Sequence, residues 1–97
     1  MQSEELTLSV LRKIETTKNQ TTLSKELGIS IGKTNYILKA LINKGLIKVE
    51  NFINNKNKRA YRYLLTEEGI KDKINLTKKF IKRKKAEYEE LQRELES

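Results

Sequence analysis

Two glycines, Gly28 and Gly45, divide the stretch from Thr22 to Leu65 into pieces too short to fold alone but patterned to fold together. Thr22 to Leu27 is a short amphipathic segment with Leu23 and Leu27 inward. Gly28 then supplies the left-handed conformation that ends a helix and that a β-carbon disfavours. After Ser30, a good N-cap, Thr34, Ile37, Leu38 and Leu41 form one apolar helical stripe that runs on to a stop at Gly45. Leu46 to Ile53 and Ala60 to Leu65 alternate apolar and polar residues as half-buried strands do, with Ile47, Val49 and Phe52 inward on the first. On the second, Tyr61, Tyr63 and Leu65 share one side, with Arg62 and Leu64 on the other. A polar loop from Asn54 to Arg59 joins them. The pattern predicts helix, turn, helix and hairpin around one small core.

Two further helices flank this unit. The first is expected over Ser3 to Thr16, with Ser3 as N-cap, Glu4 and Glu5 in the first turn, and Leu6, Val10, Leu11 and Ile14 buried. Thr16 to Gln20 reads as its exit loop. The second is expected from Thr66 to about Glu96, capped by Thr66, with Gly69 tolerated at a cost of about 1 kcal/mol. Ile74, Ile81, Tyr88 and Leu95 fall at position a of a heptad, and Ile70, Thr77, Lys84 and Leu91 at d. Such a helix extends on the order of 45 Å, further than a small domain can cover. Its apolar stripe therefore predicts a homodimer held by Ile70, Ile74, Ile81, Tyr88, Leu91 and Leu95. The helix is basic from Lys71 to Lys85 and acidic from Glu87 to Glu96, so an antiparallel pairing sets opposite charges side by side, though a parallel one stays open. The expected division is residues 1–65 as the domain proper and 66–97 as the dimerisation helix.

Composition narrows the chemistry. The 97 residues suit one domain with a thin core, which dimerisation would support. No cysteine and no histidine are present, so disulfides, thiolate or imidazole metal sites and the commonest general base are all excluded. No Gly-rich phosphate loop or clustered carboxylate pair argues for an enzyme, and no metal or cofactor is implied. No apolar run approaches the roughly 20 residues that span a bilayer, and the first residues lack a basic n-region, so a soluble cytoplasmic chain is expected. The net charge is +8, and residues 1–65 carry 12 Lys+Arg against 5 Asp+Glu.

The fold class these features specify is mainly α with a small β-hairpin: a winged helix-turn-helix followed by a long C-terminal helix. That architecture offers a helix for the DNA major groove and a loop for its flank. On the helix after Ser30, the side opposite the apolar stripe carries Gly32, Lys33, Asn35, Tyr36, Lys39 and Asn43. Lys33, Asn35, Tyr36 and Lys39 are candidates for base edges and phosphates, with Ser30 and Gly32 near phosphate at the helix start. Lys56, Lys58 and Arg59 are candidates for the wing, because a plain turn needs the asparagines between them but not the cations. The expected partner is double-stranded DNA carrying an inverted repeat, bound by a dimeric transcriptional regulator that represses by occlusion. The alternative is a winged-helix protein–protein adaptor whose Asn35–Tyr36 face binds protein. RNA binding is less favoured, since Tyr61 and Tyr63 read as core or sheet residues rather than a stacking platform.

The segment SIGKTNYILKALINKGLIK, followed by a hairpin ending NKRAYRYLLTEEG, resembles the MarR-type winged-helix transcriptional regulators over about residues 5 to 70. The positions matching that family's Asp-x-Arg wing and Leu-Thr-x-x-Gly junction are Asn57, Arg59, Leu65, Thr66 and Gly69. Asn57 stands in place of the aspartate, so an amide replaces the carboxylate that braces the wing arginine in that family. The string NFINNKNKRAYRYLLTEEGI and the charged helix after it are similar to a compact MarR-like branch associated with exopolysaccharide (EPS) biosynthesis loci, which implies control of surface-polysaccharide genes. One terminal helix replaces the several that build the dimer and effector pocket of longer members. No phenolic effector site is therefore carried over, the small-molecule effector stays unknown, and the absence of cysteine excludes thiol-based sensing.

Overall fold

Each helix starts where a small polar side chain can satisfy a free backbone N–H. In the computed structural model, which describes residues 3–17, 19–53 and 59–97 (51–53, 59 and 60 through the backbone alone), α1 spans Glu4–Lys13 and α2 Gln20–Leu27. Helix α3 spans Ile31–Asn43, strands β1 and β2 span Ile47–Ile53 and Arg59–Leu65, and α4 spans Glu67–Glu96. Ser3, Asn19, Ser30 and Thr66 are the four N-caps, accepting from the amides of Leu6, Thr22, Lys33 and Gly69.

Two helix boundaries differ from the sequence expectation by more than one residue. Helix α1 stops at Lys13 rather than Thr16, because the amides and hydroxyls of Thr16 and Thr17 all converge on the Lys13 carbonyl and close a turn there. Helix α2 begins at Gln20 rather than Thr22, because Asn19 Oδ1 accepts from Thr22 N at 2.8 Å and caps it earlier. Gly28 does end α2 with φ of 69°.

The core gathers Val10, Leu11 and Ile14 of the first segment, Leu23, the α3 residues Ile37, Leu38 and Leu41, and Ile47 and Leu65 at the base of the hairpin. Thr34 is also fully buried, and its hydroxyl is satisfied by donating to Ser30 O at 2.9 Å.

Strands β1 and β2 pair antiparallel, Ile47 opposite Leu65, Val49 opposite Tyr63 and Asn51 opposite Tyr61. Residues two apart share one face of this ribbon, yet their burial falls along it. Ile47 and Leu65 are buried and Tyr63 is half-buried, whereas Val49 is 40% and Tyr61 58% exposed. The inward setting expected for Val49 therefore fails, because the hairpin runs outward past the end of the core, and Tyr61 is a sheet residue of β2 with an exposed side chain. The side chain of Phe52 lies outside the described residues.

Helix α4 is locked to the body at its start. Thr66 N–H donates to Leu46 O at 3.1 Å, the Thr66 hydroxyl donates to Gly45 O, and the same hydroxyl accepts from Gly69 N. Gly69 then lies directly on the Leu46 backbone: a β-carbon there would clash with the Leu46 carbonyl oxygen and fall 2.9 Å from its carbon. Its glycine is a packing requirement, not merely the helix-propensity cost read from the sequence. Further along, Leu76 packs on the core and Lys79 Nζ meets Glu4 Oε2 at 2.7 Å. That ammonium, through its hydrogen bond first, holds the Glu4 carboxyl below its ordinary value. From Ile81 onward every residue is exposed, and the molecule measures 65 × 26 × 26 Å because α4 projects beyond the body. Among the described residues no helix is long and apolar enough to cross a membrane.

Candidate nucleic-acid interface

The presentation of α3 follows from its cap and its stripe. Ser30 Oγ accepts from Lys33 N at 3.1 Å, which starts the helix at Ile31. Burying Thr34, Ile37, Leu38 and Leu41 turns Gly32, Lys33, Tyr36, Lys39 and Asn43 to solvent. Tyr36 is 66% exposed, and no hydrogen bond to its hydroxyl is seen among the described residues. A β-carbon at Gly32 would meet nothing within 4 Å, so no contact inside the protein calls for glycine there. Ser30 is exposed but its hydroxyl is committed to the cap.

Asn35 sits apart from the other candidates. It is half-buried on the flank of α3 that faces the hairpin, and its Oδ1 accepts from Gln20 Nε2 at 3.3 Å. The same Gln20 nitrogen donates to the Tyr63 hydroxyl at 3.0 Å. This chain of three side chains joins the first residue of α2, the middle of α3 and strand β2. It borders an open groove of about 570 Å³ between α3 and the hairpin, with Lys39, Ile42, Val49 and Tyr61 on its walls. The sequence marks neither Gln20 nor Tyr63 as functional, and Gln20 reads there as part of an exit loop. Their positions are 15 and 28 residues from Asn35, and no local spacing announces the contact.

Of the wing candidates, Lys56 and Lys58 lie outside the described residues, and so does Asn57. Arg59 is described only through its backbone, which pairs with Ile53 at the outer end of the hairpin. On α4, the heptad residues Ile70, Ile74, Ile81, Tyr88, Leu91 and Leu95 are all exposed, Leu95 at 87%. They form a second apolar stripe, distinct from the Gly69, Leu76 and Phe80 side that turns to the body.

Residues 17–48 match a family model described as winged helix-turn-helix DNA-binding. Solved structures share the architecture. A PadR-like transcriptional regulator from Bacillus cereus superposes with a TM-score of 0.77 at 17% identity, covering 90% of this chain and 91% of that one. A MarR/EmrR family transcriptional regulator from Acinetobacter gives a TM-score of 0.69 at 28% identity, over 90% of this chain but 59% of that one. A Staphylococcus aureus MepR variant bound to an oligodeoxyribonucleotide gives 0.64 at 22% identity, over 98% and 75%. No curated protein matches the sequence. The chain thus carries a winged helix-turn-helix domain whose structural neighbours are PadR-like and MarR-family regulators, and it spans 59% of the length of the Acinetobacter protein.

Proposed function

We propose that this protein is a sequence-specific double-stranded DNA-binding transcriptional regulator that works as a homodimer and represses by occlusion. The observation that carries the reading is the outward face of α3, where Lys33, Tyr36 and Lys39 stand exposed around a glycine whose β-carbon position is open. In this reading Lys33, Asn35, Tyr36 and Lys39 enter the major groove, and Ser30 and Gly32 approach phosphate. Lys56, Lys58 and Arg59 hold the flanking backbone or minor groove. The excess of cations in residues 1–65 supports a polyanionic partner.

Residues 1–65 make the reading head and residues 66–97 the coupling between two heads. The exposed stripe from Ile70 to Leu95 is covered by a second copy, because a run of large apolar residues along 30 residues of helix is otherwise left in water. Two heads related by a dyad call for an inverted repeat whose half-sites lie about one helical turn apart, or a multiple of it. The resemblance to the compact exopolysaccharide-associated branch supports surface-polysaccharide genes as the regulated class.

The test is the salt dependence of binding to duplex DNA. Log K should fall linearly with log salt, with a slope of about 0.9 per phosphate neutralised and several phosphates per dimer. A flat salt response, with binding instead to protein partners, would replace this reading by a winged-helix adaptor.

A further inference from the structure

We propose that Gln20 and Tyr63 are positioning residues that preset the Asn35 amide for base reading, so that the hairpin and α3 read DNA as one unit. The inference rests on the DNA-binding function proposed above. Gln20 Nε2 has two N–H groups and spends them on two acceptors, Asn35 Oδ1 at 3.3 Å and the Tyr63 hydroxyl at 3.0 Å. Two consequences follow from donor and acceptor chemistry. The Asn35 amide is oriented with its oxygen toward Gln20, which turns its Nδ2 donor the other way and leaves one oxygen lone pair open. The Tyr63 hydroxyl, accepting from Gln20, keeps its own proton to donate.

An asparagine reads adenine by donating from Nδ2 to N7 and accepting from the N6 amino group on Oδ1. Both atoms must lie in one plane at the base edge, and a freely rotating amide loses that freedom on binding. An amide already held by Gln20 loses little. The three side chains are half-buried along an open groove rather than sealed in the core, where Lys39 shares the wall. A bridge of half-exposed hydrogen bonds contributes little to stability, but it does fix direction.

The experiment uses the full chain and a duplex selected by it from a random pool, with all four bases tested at each position. Asn35→Ala should relax preference at one position. Tyr63→Phe removes one hydroxyl, and Gln20→Leu removes the donor at nearly constant size. Each should lose discrimination at that same position on the order of tenfold, the size of one good base contact, while affinity for unrelated duplex and the melting temperature stay near those of the parent. In the Asn35→Ala background neither should have any further effect. The proposal is overturned if Tyr63→Phe and Gln20→Leu discriminate like the parent, if their loss persists without Asn35, or if all sequences weaken alike. Absence of any base preference in the parent protein would instead overturn the DNA-reading function on which it rests.

Discussion

Substituting Gly69 by alanine gives the sharpest mechanical test of the junction between the hairpin and α4. The added carbon would lie 2.9 Å from the Leu46 carbonyl carbon and inside contact distance of its oxygen. Carbon atoms rest at about 3.5–4.0 Å, so the first turn of α4 must retreat by on the order of 1 Å. Thr66 opposes that retreat, since its amide bond to Leu46 O already measures 3.1 Å and its hydroxyl is tied to Gly45. Overpacking of this kind costs about 1–3 kcal/mol, and losing one hydrogen bond adds about 0.5–1.5 kcal/mol. Replacing a helical glycine returns at most about 1 kcal/mol. The net expectation is destabilisation by about 1–3 kcal/mol, a fall of roughly 4–8 °C in melting temperature for each kcal/mol.

The internal control is Gly32→Ala, which makes the same chemical change in the first turn of α3 with nothing within 4 Å of the new carbon. It should raise stability by about 0.5–1 kcal/mol. Urea denaturation at one fixed protein concentration, which the proposed dimer requires, measures both. A Gly69→Ala protein as stable as the parent would refute the reasoning, because the Leu46 backbone would then have room to yield.

Other expectations are more local. Ile81→Asp with Leu91→Asp, two exposed positions, should halve the mass by sedimentation equilibrium while helical content in circular dichroism is kept; an unchanged mass would contradict the proposed pairing through this stripe. Lys58→Ala should weaken binding to all duplexes about equally and lower the salt slope by about 1, in contrast to the single-position effect of Asn35→Ala. Because Lys79 holds the folded-state Glu4 carboxyl below its ordinary value of 4.5, that pair stabilises the fold above this value and the contribution fades as pH falls through the lowered one. Glu4→Gln should therefore make the melting temperature less sensitive to pH as it falls below 4.5, and an unaltered profile would show that the pair is inconsequential.

The features that sequence discloses here are the local ones. Ser3, Ser30 and Thr66 cap helices and Gly28 ends one because each acts on backbone within three or four residues of itself. The stripe Thr34, Ile37, Leu38 and Leu41 is legible for the same reason. Strand alternation tells which residues share a face, but not how far along the ribbon the core extends, so the inward setting expected for Val49 fails. Helix α4 carries two apolar stripes: the longer, Ile70 to Leu95, is visible as a heptad, while the body-facing Leu76 and Phe80 are masked by neighbouring lysines. Gly69 looks like a helix defect until the Leu46 carbonyl is placed above it. The Gln20 bridge between Asn35 and Tyr63 depends on three elements meeting, which no periodicity encodes.

The most direct measurement is selection of duplexes by the purified 97-residue chain from a random DNA pool. A winged-helix dimer that reads bases through α3 predicts an enriched motif with dyad symmetry, its half-sites about one helical turn apart or a multiple of it, lost when Lys33, Tyr36 and Lys39 are replaced together by alanine. Recovery of unenriched sequence, or of a motif that survives this triple replacement, would contradict the assignment of α3 as the DNA-reading element.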